Sequence, residues 1–467
     1  MGKQKDITEV LDPLKKSGQL YFIGIGGIGM SAIARYFHFH GKQVSGYDKT
    51  ESVLTRELNK EGISVHYEDN PSLAPENPDL IVYTPAIPKS HKEMHYYTIN
   101  HFPILKRSDI LGIITAHTYN ICISGTHGKT TVSTMLAHIL RDSGFGCNAF
   151  LGGIAVNYNT NFWSNERKVC VVEADEYDRS FLKLLPDIAV ITSMDPDHLD
   201  IYGTEEKMQE AFIEFTSKIK DKGLLFYKYG LPRVSEFKTS KTVSYHLDDP
   251  QAAIHAFDIK PENGGYRFNV KVSDKTIENV HLNMGGLHNV ENASVSIAIA
   301  VEMGIESEVI RKGVGCFRGV KRRFEYILKS EKIIFIDDYA HHPEELRALI
   351  AGTKLLFKER KCTVIFQPHL FTRTRDMADG FAKSLDLADE IILLPIYPAR
   401  ESPIEGVSSK LIAERMSNKN VELCSKEEVL KKIQDGIKRD LLSVVVSAGA
   451  GDIDTMIPDI RQIMNKQ

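Results

Sequence analysis

The chain has 467 residues, a length that suggests about three domains. Its 42% hydrophobic and 26% charged content, with 33 Gly and 18 Pro, excludes collagen-like, disordered and single small-module classes. Lys and Arg number 58 against 62 Asp and Glu, a formal charge of -4, so no overall basic excess points to nucleic acid or an anionic membrane as the main partner.

The opening MGKQKDITEVLDPL lacks an apolar export segment, and Asp6 stands where N-terminal acylation wants Ser or Thr. No stretch approaches the ~18 uninterrupted apolar residues of a membrane span. Cys122, Cys147, Cys170, Cys316, Cys362 and Cys424 include no C-x-x-C pair, and two of them sit inside apolar runs. Reduced thiols in a cytoplasmic protein are the expectation.

The first apolar run, LYFI, feeds Gly24-Ile25-Gly26-Gly27-Ile28-Gly29 and then the helix-period segment MSAIARYFHF. This is G-x-G-x-x-G in a strand-turn-helix setting. Gly24, Gly26, Gly27 and Gly29 permit a tight turn and close approach of the backbone to a diphosphate, which would rest on the helix N-terminal amides. Asp48 ends the next strand 19 residues past Gly29, where a carboxylate can accept from ribose hydroxyls. The pattern indicates a nucleotide diphosphate and does not choose between NAD and a UDP-linked ligand.

A second strand-turn-helix begins at NICIS. Gly125-Thr126-His127-Gly128-Lys129-Thr130-Thr131 departs from the strict phosphate-loop pattern, because Ile123 stands where its first glycine belongs, but the Gly-Lys-Thr core is intact. Backbone amides would cradle phosphates, Lys129 would balance their charge, and the Thr130 hydroxyl could reach Mg²⁺. Glu173 ends the apolar strand VCVVE at the sheet's carboxyl edge, and Asp195-Pro196-Asp197-His198-Leu199-Asp200 ends another. Carboxylates suit Mg²⁺, whereas an imidazole is an unusual ligand for so hard a cation, which makes His198 the weaker candidate on chemistry alone.

Between about 240 and 285 the runs SYHL, AIHAFDI, YRFNVKV and ENVHLNM read as consecutive antiparallel strands, with turns at 263–265 and 273–275. A helix is expected from Asn289 to Met303, ended by Gly304, and βα alternation then resumes to the end. Pro343 with Glu344 and Glu345 predicts a helix first turn that leaves His341 and His342 on the preceding loop. Boundaries near 115 and 320 divide the chain into segments 1–114, 115–320 and 321–467. The expected fold is α/β with a Rossmann-like N-terminal domain, a central P-loop ATPase-like domain carrying a small antiparallel sheet, and a Rossmann-like C-terminal domain.

Taken together, YFIGIGGIGMSAIA, SGTHGKTT, EADEYDRSF, DHLDIYG, GLHNVENA, GVKRRFE, DDYAHHP and QPHLFTRTRD resemble the Mur ligases, and most closely their alanine-adding branch. The resemblance implies ATP-dependent joining of L-alanine to the lactyl carboxylate of UDP-N-acetylmuramate through an acyl phosphate, in peptidoglycan precursor synthesis. It implies residues 1–114 as the UDP-sugar domain, 115–320 as the ATP domain and 321–467 as the amino-acid domain. ATP would meet Gly125, Thr126, His127, Gly128, Lys129, Thr130 and Thr131, with Asn289 and Asn292 near adenine and Arg323 and Asp338 completing the nucleotide contacts. Thr130, Glu173 and His198 would surround Mg²⁺. Tyr339, His341 and Arg373 would form the alanine pocket, and one of Glu173, His198 or His341 would take the amine proton. A monomer or homodimer is expected, with no nucleic acid or membrane partner. Leu370, where the branch commonly has Arg, and the segment PIYPARESPI depart from the branch's pattern, both within the segment assigned to the amino acid. Competing readings are the recycling ligase that attaches a murein tripeptide to the same sugar nucleotide, a dinucleotide-dependent oxidoreductase, and a non-catalytic nucleotide-binding module.

Overall fold

The structure is a computed structural model that describes residues 18–116, 118–197, 199–399 and 401–466. It holds three α/β sheets. The first has the order β3-β2-β1-β4-β5, built from β1 (Gln19–Ile23), β2 (Gln43–Tyr47), β3 (Ser64–His66), β4 (Leu80–Tyr83) and β5 (Ile104–Lys106), all parallel. The chain builds outward from β1 on one side and then returns to its other side, so the loop after β1 lies at the switch point where open α/β sheets bind ligands.

The second sheet repeats this logic. In the order β12-β11-β10-β6-β9-β7-β8 it uses β6 (Tyr119–Ser124), β7 (Asn148–Ala155), β8 (Thr160–Trp163), β9 (Val169–Glu173), β10 (Ile188–Ile191), β11 (Leu224–Lys228) and β12 (Thr242–His246). Only the β7/β8 pair among these is antiparallel, and the switch falls at β6, directly before the second glycine loop. Strands such as Val169–Glu173 are buried on both faces, which is why they read as unbroken apolar runs.

The expected antiparallel piece starts later than predicted. β12, the SYHL strand, runs parallel both to β11 and to the start of β13 (Ile254–Glu262). Its half-buried alternation looks the same in either direction, so the residues alone did not reveal its sense. The antiparallel turn-back begins only at Asn263 (φ 50°) and Gly264 (φ 69°), whose positive φ values suit the two-residue turn leading to β14 (Gly265–Val272), followed by β15 (Lys275–Leu282). The following helix spans Leu287–Glu302 and so begins two residues before the expected start at Asn289.

The third sheet, β16-β17-β21-β18-β19-β20, consists of β16 (Glu325–Lys329), β17 (Ile334–Asp338), β18 (Cys362–Phe366), β19 (Glu390–Leu393), β20 (Val421–Leu423) and β21 (Val444–Ala448), parallel except at the β16 edge.

By contact density the chain forms two compact units, Met1–His255 with Lys271–Lys275 and Asn292–Gly313, and Ala256–Val270 with Thr276–Glu291 and Val314–Gln467. Within the first unit the apolar core runs unbroken from Leu20 and Phe22 of the first sheet to Val172 and Ile191 of the second. Tyr36, Phe150 and Phe162 join the two, with the Tyr36 ring 5.5 Å and 6.1 Å from the other two. Arg35 adds a polar tie, since it grips Glu61 through two 2.7 Å bonds and donates to Asn161 Oδ1 at 2.5 Å, while Asn161 Nδ2 donates to Ile28 O at 2.6 Å. A fork-to-fork guanidinium–carboxylate pair fixes orientation as well as distance. These contacts set the first glycine loop in a defined place against β7 and β9. In the second unit the third sheet carries an apolar layer on each face. All six cysteines are free thiols, and no helix among the described residues is long and apolar enough to cross a membrane.

Candidate active site

Both glycine loops end in helices whose N-termini lack a side-chain cap. The helix Ile28–Phe39 follows Gly27 and the helix Lys129–Asp142 follows Gly128 (φ 84°), with no capping hydroxyl or carboxylate in either case. Helices elsewhere in the chain, such as Val53–Lys60 after Ser52 and Lys426–Lys438 after Ser425, are capped by their own side chains. The free amides at the glycine loops remain available to an anion.

In the first loop, Gly26 N donates to Asp48 Oδ2 at 2.8 Å, so the carboxylate predicted to face a ribose is already tied to the loop. A Cβ on Gly26 would sit 2.7 Å from Thr55 Cγ2 and 2.8 Å from Asp48 Oδ2. Gly24 (φ 87°) is required by its backbone conformation as well. A cavity of about 360 Å³ opens from this loop, lined by Gly27, Gly29, Arg107, Ser108, Gly152 and Glu173 among others. One space therefore runs from the first glycine loop to the acidic end of β9.

The second loop is buttressed from β10. Thr126 Oγ1 pairs with Ser193 Oγ at 2.8 Å, His127 N donates to Ser193 Oγ at 2.7 Å, and Thr192 Oγ1 donates to Ser124 O at 3.0 Å. A Cβ on Gly125 (φ 126°) would lie 2.1 Å from Thr192 Oγ1, so glycine is needed there for space and for conformation. Lys129 Nζ donates to Gly125 O at 2.6 Å and lies 2.8 Å from the Glu176 carboxylate. Thr130 Oγ1 donates to Glu173 Oε1 at 2.9 Å, and Gly152 N donates to Glu173 Oε2 at 2.9 Å. Asn292 Oδ1 lies against the loop, since a Cβ on Gly128 would come within 2.9 Å of it.

The structure thus brings Lys129, Thr130, Glu173 and Asn292 together. His198 lies outside the described residues. Asn289 sits inside its helix, where its amide donates to Gly285 O at 2.7 Å and supplies no N-cap. Glu176, Gly152, Thr192 and Ser193 were not singled out in the sequence, although Glu176 lies within the quoted EADEYDRSF run.

In the second unit the two arginines of the GVKRRFE motif part company. Arg322 (φ 61°) is committed internally: it donates to Gly449 O at 2.5 Å and to Asp337 Oδ2 at 3.3 Å, and its guanidinium lies 5.1 Å from the Tyr339 ring centre. Arg323 is exposed; its backbone N donates to Val320 O at 3.1 Å, and its side chain makes no hydrogen bond or ion pair among the described residues. Asp338 Oδ2 accepts from Phe324 N at 2.6 Å and Oδ1 from Ala340 N at 2.8 Å, so this carboxylate clamps the Arg323 turn to the DDYAHHP loop. Burial pushes Asp338 up to about 6, against the pull of those two amides and of Arg323.

His341 and Arg373 lie beside His369, and Tyr339 packs on His341. The His341 ring centre is 5.1 Å from that of Tyr339 and 6.2 Å from that of His369, and Arg373 Nη1 donates to His369 Nδ1 at 3.3 Å. Burial pushes His341 down to about 4, helped by the Arg373 and His342 charges and opposed by Glu345, so the ring is neutral near pH 7. Its Nδ1 lies 2.9 Å from Tyr339 O. A carbonyl only accepts, so Nδ1 carries the hydrogen and Nε2 is left as a proton acceptor. His341 and His342 precede the helix Pro343–Leu356, as the Pro343 signal indicated.

Among the described residues no group of three or more His, Cys, Asp or Glu side chains forms a ready metal site. The donors that do meet, a threonine hydroxyl and a glutamate carboxylate, are hard oxygen ligands of the kind Mg²⁺ takes alongside phosphate oxygens.

Comparison with known proteins matches three domain families in sequence along the chain. Residues 19–119 match the Mur ligase family catalytic domain, 123–300 the Mur ligase middle domain and 322–451 the Mur ligase glutamate ligase domain. A UDP-N-acetylmuramate--L-alanine ligase of Flavobacterium johnsoniae is 46% identical over 463 residues, covering 97% of this chain and 99% of the relative. One from Parabacteroides distasonis is 48% identical over the same shares. Among solved structures, a UDP-N-acetylmuramate-alanine ligase from Thermotoga maritima superposes with a TM-score of 0.80 at 27% identity, covering 96% of this chain and 99% of that one. A murein peptide ligase from Psychrobacter arcticus gives a TM-score of 0.67 at 22% identity over similar shares, a likeness of fold alone. With three consecutive domain matches and full-length relatives at nearly half identity, the chain belongs to the Mur ligase family.

Proposed function

We propose that this protein is an ATP-dependent ligase that joins L-alanine to the lactyl carboxylate of UDP-N-acetylmuramate. The observation that carries the reading is the cavity running from the first glycine loop to Glu173, the residue that holds Thr130 of the second loop. A diphosphate on the first loop directs the sugar it carries along that cavity, toward the residues of the phosphate loop.

A free carboxylate is a poor electrophile near pH 7. The lactyl oxygen attacks the γ-phosphorus of ATP, the bond to the β-phosphate oxygen breaks, and ADP departs from an acyl phosphate. Lys129 and the loop amides oppose the charge on the transferring group, and Arg323 adds a second cation. Mg²⁺ supplies further charge neutralisation when bound, and Thr130, Glu173 and His198 are the residues that would hold it. The amine of L-alanine then attacks the acyl carbon and inorganic phosphate leaves. Arg373 pairs with the amino-acid carboxylate. One of Glu173, His198 or His341 accepts the amine proton.

The dinucleotide oxidoreductase reading leaves the second loop without a role. Curated relatives at 46% and 48% identity carry the alanine-ligase name, which disfavours the tripeptide ligase. Phosphate release with UDP-N-acetylmuramate and L-alanine, glycine, L-serine or murein tripeptide tests the assignment. L-Alanine should give the fastest release; release driven by the tripeptide and not by L-alanine would overturn it.

A further inference from the structure

The phosphate-loop cation is already engaged by a carboxylate that the reaction scheme leaves unused. Glu176 is fully buried at 0% exposure, yet it sits in the turn that leads from β9 toward the cavity. Its carboxylate lies 2.8 Å from Lys129 Nζ, and the same Nζ donates to Gly125 O at 2.6 Å. An ammonium has three N–H donors. Gly125 and Glu176 take two, and one remains for a phosphate oxygen.

This pair is not needed to hold the turn. Phe181 N donates to Asp175 O at 3.1 Å, Arg179 N to Glu176 O at 2.9 Å, Ser180 Oγ to Asp175 O at 2.9 Å, and Tyr202 Oη to Glu176 O at 2.6 Å. The backbone is fixed by these four bonds without the Glu176 side chain. A buried ion pair is also a poor source of stability, because desolvation offsets most of the attraction. What the carboxylate does uniquely is immobilise a long, flexible lysine side chain whose rotamer freedom would otherwise be lost when a nucleotide arrives.

We propose that Glu176 is a positioning residue for phosphoryl transfer: with Gly125 O it fixes the Lys129 ammonium in the phosphate loop before nucleotide binds, and Tyr202 holds Glu176 in place from the helix Leu199–Tyr202. The proposal rests on the ATP reading of the second loop. Removing the Glu176 charge leaves Lys129 in the chain but lets it wander, so the nucleotide step suffers and the first loop is spared.

The test uses the full chain and calorimetric titration with Mg²⁺ and a non-hydrolysable ATP analogue, together with steady-state kinetics. Glu176→Gln should weaken analogue binding about tenfold and lower kcat about tenfold or more. KM for UDP-N-acetylmuramate should stay within about twofold, and Glu176→Asp, which keeps the charge, should recover part of the loss. A purely structural role would lower the melting temperature without this split between the two nucleotides. Tyr202→Phe, which removes one hydroxyl and no charge, should weaken analogue binding about twofold to fivefold. Wild-type affinity and kcat in Glu176→Gln, or tighter binding, overturns the proposal. If Glu176→Gln does not fold, wild-type analogue affinity in Tyr202→Phe overturns it instead. A wild-type protein that binds no analogue at all overturns the ATP reading, and this proposal with it.

Discussion

Gly152→Ala adds a single methyl group beside the Glu173 carboxylate. The new Cβ would lie 2.3 Å from both carboxylate oxygens and 2.4 Å from Cδ, where ordinary contact begins near 3.4 Å. The carboxylate must therefore retreat by about 1 Å, which breaks its hydrogen bonds to Gly152 N and Thr130 Oγ1. The fold barely registers this. Gly152 is exposed, has no positive φ, and its obstacle is the end of a flexible side chain; Gly→Ala in compatible backbone even stabilises by about 0.4–1 kcal/mol through the unfolded state. Chemistry depends on the displaced group, and a misplacement of about 1 Å costs on the order of 100-fold in rate, or about 2.7 kcal/mol of barrier. Phosphate release should fall by about that factor while the melting temperature moves by less than about 2 °C. Turnover within threefold of wild type, at an unchanged melting temperature, would refute the role given to Glu173.

Lys129→Ala should abolish phosphate release, and because it strands the buried Glu176 carboxylate it should also cost about 3 kcal/mol of stability in chemical denaturation; Lys129→Ala with Glu176→Gln should regain that stability without regaining turnover. Gly26→Val, which drives a side chain into Asp48 and Thr55, should weaken UDP-N-acetylmuramate at least tenfold and leave ATP-analogue binding unchanged; equal losses for both nucleotides would contradict separate loops. The Glu93 contribution to stability should also fall as pH rises from 5 to 8, because burial lifts Glu93 from 4.5 to about 7 and the folded chain holds a proton there that the unfolded chain has released. That contribution, about 3 kcal/mol, is fully present below pH 4.5 and lost as pH rises through 7, so Glu93→Gln should flatten the stability profile over this range.

What could be read in the sequence was whatever depends on local conformation. Gly24, Gly125 and Gly128 adopt positive φ, a demand that only glycine meets cheaply, and each follows an apolar strand, so the two loops were visible as patterns. Glu173 was visible because an apolar run stops at it. Gly152 was not, because its importance arises only when β7 lies alongside β9, where Phe150 pairs with Val172 and brings the next residues level with Glu173. The Lys129–Glu176 pair likewise joins residues separated by a helix, the β7/β8 hairpin and β9. The division between Arg322 and Arg323 depends on two non-glycine residues with positive φ, Arg322 and Phe324, and on Asp338 accepting two backbone amides, none of which leaves a sequence signal beyond the motif itself.

The carboxylates at and just after the end of β9 bear on how the second loop would meet a polyanion. Within four residues, Glu173 engages Thr130 and Gly152, Asp175 accepts from Tyr177 N at 3.1 Å, and Glu176 neutralises Lys129. With the lysine charge already balanced at close range, an isolated phosphate or sulfate would meet a loop whose attraction comes from backbone amides, the helix dipole and one remaining Lys129 donor. A triphosphate would present enough oxygens to engage those amides and the remaining Lys129 donor together, and a divalent cation held by Glu173 would offset the local negative charge. On the ATP reading proposed above, the paired charges at the base of the loop would favour a metal–nucleotide complex over smaller anions.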